Sequence, residues 1–318
     1  MNDLEKKYTS TTNKLLAHPE LLEDIKKWIF RPLSLQLAPT DKCNLRCNMC
    51  SVDNRNWDEL SIEQVVAALY EFRLLWAKTV EITWGWDPTM YRKINELIEN
   101  AIVMWYEVWM ITNWILVTKT IKQENLDLLT RLRISLNSLD YVKDIDVPTI
   151  NWTLWFSYVR TEKSDLKKLD KITYYAEKYW ADFLRVVPDC LDVATKENYI
   201  KEIWPLIEKY PKLFFQQKEH RVPSNCWIGY IKPFINSDWL VYMCSANPLI
   251  GRKFNPERSI WTINDIPWIY KRWDIWFKTD KCQEWKCFFK EQNDLIKEVK
   301  DWLFIPPTDL QIPHKKFI

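Results

Sequence analysis

Cys43-Asn44-Leu45-Arg46-Cys47-Asn48-Met49-Cys50 stands shortly after the apolar run Leu33-Ser34-Leu35-Gln36-Leu37-Ala38-Pro39. The run is short, nearly uninterrupted and ended by proline, and it reads as a buried strand. A loop at that strand's carboxyl end therefore carries three thiols within eight residues. Three thiolates so placed can hold three irons of a cubane cluster and leave the fourth iron open to an exchangeable ligand. A structural zinc site would normally add a fourth Cys or His at local spacing, commonly as two paired knuckles. Neither residue occurs near this loop. Zinc and cysteines without a shared role are the rival readings.

Outward from the loop, short apolar segments alternate with amphipathic ones. Strands are predicted at 33–38, Thr79–Thr83, Tyr106–Thr112, Arg131–Leu136, Thr153–Val159 and Asp182–Val187. Helices are predicted near 61–75, Met90–Met104, 119–130, 164–179 and 195–209. Strands separated by helices of this length imply a parallel sheet. Residues 1–30 read as a helical lead-in, and the stretch from Pro306 to Ile318 as a polar tail.

A net charge of +2 offers no basic footprint for nucleic acid or an anionic membrane. No apolar run reaches membrane-spanning length, and the polar start Met1-Asn-Asp-Leu-Glu-Lys-Lys resembles no targeting segment. Eight cysteines without a secretory signal point to metal or redox chemistry in a reducing cytoplasm.

Only 3 glycines accompany 20 tryptophans, and the positions of the tryptophans are more telling than their number. Asn56-Trp57, Asn113-Trp114, Asn151-Trp152 and Asp238-Trp239 stand where Asn-Gly or Asp-Gly turns are expected. Trp76, Trp105 and Trp180 each end an amphipathic run before a strand, the place of a helix-ending glycine at positive φ. An indole there is sterically penalised. The simplest reading is a gene whose UGA codons specify glycine; the alternative is a genuinely tryptophan-rich protein. Trp227, Trp268 and Trp276 are the better candidates for true tryptophan.

The C-x3-C-x2-C spacing after a first strand resembles the radical S-adenosylmethionine (radical SAM) superfamily, over roughly residues 30 to 190. The resemblance implies an α/β fold, a partial, TIM-like (β/α)6 barrel, with a [4Fe–4S] cluster on Cys43, Cys47 and Cys50. It implies S-adenosylmethionine chelated to the open iron and reductively cleaved to a 5′-deoxyadenosyl radical that takes a hydrogen atom from substrate. Met49 stands where the family more often has an aromatic beside the adenine; a thioether can fill that contact. The second strand ends in Glu81-Ile-Thr-Trp84-Gly85-Trp86-Asp87-Pro88, where the family has a Gly-Gly-Glu-like backbone cradle for the methionyl amine. With glycine at 84 and 86 the match is close, and Asp87 departs from Glu. A backbone that approaches a ligand at van der Waals distance cannot carry an indole. Ser135 and Asn137 alternate with Ile134 and Leu136 and could both face the lumen as cofactor contacts. Arg160 and Arg185 are candidate lumen cations for a carboxylate. Each of these four also has an ordinary structural reading. At the end of the sixth strand Asp189 is a candidate general base and Cys190 a candidate hydrogen donor, with a buried structural thiol as the alternative.

A second cysteine zone comprises Cys226, Cys244, Cys282 and Cys287. With glycine at 239, Cys226 to Cys244 resembles the opening hairpin of the SPASM and Twitch auxiliary-cluster domains. Four thiolates suffice for one further [4Fe–4S] cluster or for zinc. The expected organisation is a lead-in over 1–30, a radical SAM core over 31–215, a small cysteine-rich auxiliary domain over 216–300 and a tail over 301–318. The expected activity is oxidation or cross-linking in a peptide, or dehydrogenation of a small molecule, in an anaerobic cytoplasm, with flavodoxin or ferredoxin as electron donor. Nucleotide, cofactor-precursor or RNA modification by the same chemistry is an alternative; a non-catalytic zinc protein is another.

Overall fold

The computed structural model describes residues 11–52, 55–83, 86–147, 152–161, 166–189, 201, 204–205, 207–216, 226–246, 248–250, 253–266, 270, 289–303 and 315–317. Seven parallel strands run in sequence order: β1 (Ser34–Leu37), β2 (Thr79–Ile82), β3 (Glu107–Thr112), β4 (Arg131–Ser135), β5 (Thr153–Arg160), β6 (Phe183–Pro188) and β7 (Leu213–Phe215). Every β1 and β2 residue is buried, as expected of parallel strands covered on both faces. Alternate strand residues divide between two cores. Leu35, Val80, Val108, Leu132, Phe156 and Leu184 pack outward with Val65, Leu69, Ile98 and Ile172 of the surrounding helices. Trp109, Trp155, Phe183 and Phe214 pack inward with Phe317 of the tail.

The predicted six-stranded core gains β7 on one edge. On the other edge, β8 (Phe234–Ile235) pairs parallel with β1, followed by antiparallel β9 (Leu240–Tyr242) and β12 (Trp261–Thr262). The hairpin predicted around Asp238-Trp239 is β8–β9, and its strands lengthen the same sheet as the barrel. β10 (Leu249–Ile250) and β11 (Lys253–Phe254) form a separate antiparallel pair. The N-terminal helix Pro19–Lys26 packs against the C-terminal helix Lys290–Lys300 through Leu22, Ile25, Ile296 and Val299. Gly229 lies so close to β9 that an added Cβ would stand 2.7 Å from the Met243 Cα, which requires glycine.

Local chemistry sets the helix ends. Ser61 caps helix Ile62–Leu74 reciprocally with Gln64. The same helix ends where the Trp76 N–H bonds to the Arg73 carbonyl and the Ala77 N–H to that of Phe72. Those two bonds form a Schellman motif with Trp76 at its left-handed position, φ 92°. Trp28, Trp105, Trp180 and Trp302 close four further helices with the same pair of bonds, at φ 61°, 63°, 54° and 60°. Trp57, Trp114 and Trp239 occupy left-handed turns at φ 65°, 72° and 69°. Among the described residues every non-glycine at positive φ is a tryptophan. Six of the seven turn and helix-end positions singled out from the sequence are in this set; Trp152 is not.

Candidate functional site

The cysteine loop leaves β1 and is held above the strand ends by polar ties. Arg55 donates to the carbonyls of Cys43 at 3.0 Å and Leu45 at 2.6 Å. Asp41 accepts the Asn56 N–H at 2.7 Å, and Thr40 forms an isolated antiparallel bridge with Glu59. The Asn48 N–H bonds to the Tyr141 hydroxyl at 3.1 Å. Arg55 and Tyr141 were not legible as site residues: one lies beyond the motif and the other follows β4 in sequence.

Cys43, Cys47 and Cys50 are half-buried, and none is in a disulfide. Burial pushes the Cys43 thiol up to about 11 and the Cys47 thiol up to about 12. The Cys50 thiol donates to the Val52 carbonyl at 3.1 Å. No three metal-binding side chains converge among the described residues. Thiols disfavoured as free thiolates by desolvation suit a site in which bound iron supplies the compensating charge. The donor set therefore fits an iron–sulfur cluster.

The backbone after β2 is different. Trp84 and Gly85 lie outside the described residues. Trp86 is 7% exposed, and its indole packs with Ala38, Val52, Phe234 and Tyr242 against Cys43 and Cys50. It occupies the volume beside the thiols and does not fit a cofactor amine approaching the backbone there. Asp87 is buried and committed to structure: it accepts from the Thr89 N–H and hydroxyl, the Thr112 hydroxyl and, at 2.6 Å, the Asn113 N–H. Burial raises its carboxyl above the ordinary range, and these donors oppose that shift. Asp87 thus locks the end of β2 to the end of β3. It also aims Asn113, whose amide donates to Asn44 at 2.7 Å and reaches the Cys43 sulfur at 3.9 Å.

Ser135 ends β4 in register with Ser157 of β5, half-exposed. Asn137 is buried, exchanging hydrogen bonds of 2.9 and 2.8 Å with the Val159 backbone, so its amide knits β5 to the segment after β4. Arg160 is buried at the end of β5 beside Pro188, and its carbonyl accepts the N–H of buried Asp189. Arg185 is half-buried in the barrel, bonds to Gln216 at 3.0 Å, and has its pKa lowered by burial and then by nearby Arg133. Met49 is a half-buried turn residue. Cys226 is buried with the Asn293 amide 3.8 Å from its sulfur, and Cys244 is half-buried after β9. Cys190, Cys282 and Cys287 lie outside the described residues.

A parallel barrel with a three-cysteine loop at the carboxyl end of its first strand defines a cofactor-dependent enzyme class. Residues 37–159 match the model of the radical SAM superfamily. A domain of that kind implies, in general, S-adenosylmethionine and a [4Fe–4S] cluster. A probable GTP 3′,8-cyclase of Archaeoglobus fulgidus is 32% identical over 112 residues, 35% of this chain and 37% of that protein. The match thus spans little more than a third of that relative. The structure of Streptococcus suis SuiB bound to precursor peptide SuiA covers 90% of this chain and 77% of that one, at 16% identity and a TM-score of 0.55. The anSMEcpe structure with bound AdoMet and Cp18Cys peptide covers 85% of this chain and 83% of that one, at 13% identity and a TM-score of 0.50. These likenesses are of fold. No helix among the described residues is long and apolar enough to cross a membrane.

Proposed function

We propose that this protein is a peptide-modifying radical SAM enzyme that abstracts a hydrogen atom from a peptide side chain, leading to its oxidation or cross-linking. The observation that carries this reading is the extent of the fold likeness. It covers 90% of the chain with peptide-bound SuiB, well beyond the cysteine-loop domain. The cluster and S-adenosylmethionine together supply a one-electron reductive cleavage and a hydrogen-abstracting radical. The chain's own part is positional. Cys43, Cys47 and Cys50 provide the thiolates, Arg55 and Asn48 hold their loop, and Asp87 keeps β2, β3 and Asn113 in register beneath it. Ser135 and Arg160 end their strands and Arg185 is the third residue of β6; all three are assigned as polar contacts for cofactor or substrate carboxylates. Asp189, at the end of β6, is the proton acceptor of the reading, and Cys190 follows it. Cys226, Cys244, Cys282 and Cys287 are assigned to a SPASM- or Twitch-like auxiliary cluster, and flavodoxin or ferredoxin to electron delivery.

Anaerobic reconstitution of the protein purified from its own cells tests this assignment. About eight irons per chain, as two four-iron clusters contain, and reductant-dependent 5′-deoxyadenosine are expected. Stoichiometric zinc without cofactor cleavage would refute it. The identity with GTP 3′,8-cyclases supports a second reading, a nucleotide substrate. GTP consumption by the reconstituted protein, against modification of a peptide encoded beside its gene, separates the two.

A further inference from the structure

We infer that the natural polypeptide carries glycine at positions 28, 57, 76, 105, 114, 180, 239 and 302, and glycine also at 86, where it opens the space beside the cluster thiols. The first eight positions rest on backbone geometry alone. They include every left-handed non-glycine among the described residues, and all are tryptophan, a residue that contributes 20 of 318. Five of them close helices in the hydrogen-bonded motif that selects glycine, because a Cβ at positive φ collides with the adjoining carbonyl. Trp28, Trp57, Trp105, Trp180 and Trp302 are 57–84% exposed, so their indoles gain little from burial. Lys300 lies over Trp28 and Lys26 over Trp302, exposed contacts that each contribute weakly. At those five sites the backbone conformation opposes the residue and burial does not offset it. Trp114 is buried, its indole N–H donating to the Asp146 carbonyl at 2.6 Å, and its assignment rests on φ alone. A single reassigned codon, UGA read as glycine in the source cell and as tryptophan in the standard translation, explains all of them at once. Trp28 lacks the turn dipeptide, and Trp302, which follows Asp301, was not singled out in the sequence; the fold adds both to the set.

Position 86 rests on packing and on the reading of the loop as a cluster site. Its indole is buried against Cys43 and Cys50, in a pocket that also holds Ala38, Val52, Phe234 and Tyr242. Glycine there removes a side chain that crowds the thiols and exposes backbone to whatever binds them.

Mass spectrometry of the protein from its own cells decides residue identity. Peptides lighter by one tryptophan-minus-glycine difference at each site, with UGA codons in the gene, uphold the inference; tryptophan encoded by UGG overturns it. The expressed chain gives a second readout independent of radical chemistry. Replacing the five exposed left-handed tryptophans, Trp28, Trp57, Trp105, Trp180 and Trp302, by glycine is expected to raise the melting temperature by on the order of 10 °C. Replacement by alanine, which keeps Cβ, should recover much less. Trp204→Gly is the opposing control, because Trp204 is exposed within a helix and not at positive φ; it should melt lower. A lower melting temperature for the fivefold glycine variant would remove the conformational argument. Trp86→Gly is read by iron bound per chain on reconstitution, expected to rise at least severalfold; unchanged iron overturns the assignment at 86. Iron uptake and melting are scored without cofactor cleavage, so the inference and the proposed activity fail separately.

Discussion

The two ends of the barrel are built on opposite principles. At the amino end the tail crosses the strands and Phe317 enters the lumen against Trp109, Trp155, Phe183 and Phe214. Arg131 stacks on this group, its guanidinium carbon 3.9 Å from the Trp109 ring centre and 5.6 Å from that of Phe317. The buried Lys14 amine donates to the Phe317 carbonyl at 2.9 Å, and Thr79 donates to the carbonyl of Lys316. At the carboxyl end the cysteine loop is held mainly by hydrogen bonds to backbone, and its thiols are left for a ligand. One end is closed by packing and the other is poised by polar ties. Stability should therefore reside at the first and ligand capture at the second.

The sharpest break in that division is Cys47→Ala. Iron at the loop should fall to background, while the melting temperature of the metal-free chain hardly moves; a large fall in melting temperature would contradict the division. Phe317→Ala is the mirror image. It should cost about 3–5 kcal/mol in urea unfolding and leave iron uptake at the loop intact. Lys14 allows a pH test. Burial, then the Arg131 charge, hold its amine well below its ordinary 10.5, so the unfolded chain binds the extra proton between the two values. Stability from this group should rise with pH across that window, by up to about 1.4 kcal/mol per pH unit. It is fully present above 10.5 and lost as pH falls through the folded value. Lys14→Met should flatten the difference, as measured by urea midpoints across the alkaline range. The smallest effect expected is that of Arg55→Met, about 1 kcal/mol of stability for its half-exposed bonds, with slower iron loading read by absorbance.

Much of the barrel was legible because parallel strands are short, apolar runs set off by amphipathic helices. The strands predicted at 79–83, 106–112 and 153–159 differ from β2, β3 and β5 by a residue at an end. The helix predicted from Met90 begins at Ile94, because Asp87 caps a short 3-10 turn at Pro88–Met90. The helix predicted over 119–130 is two pieces, Val117–Thr120 and Gln123–Asp127, since Ile121 and Lys122 take extended backbone. At the site, the cysteines and the Trp84-Gly85-Trp86-Asp87 stretch declared themselves by spacing. Arg55, Tyr141 and Asn113 approach the loop only through folding, from separations that no local pattern encodes. Asn137 and Asp87 were legible as polar strand-end residues, yet their partners, Val159, Thr112 and Asn113, were not.

By itself the sequence determined the βα alternation, the three-thiol loop and most of the positions that call for glycine, because each is a property of neighbours along the chain. The tertiary structure decided what depends on distant partners. It placed β8 beside β1, seated Phe317 under Arg131, committed Asp87 to β3 and packed the Trp86 indole against the thiols. Spacing can specify a ligand set or a turn, but which side chain fills a given volume is known only when the chain has closed around it.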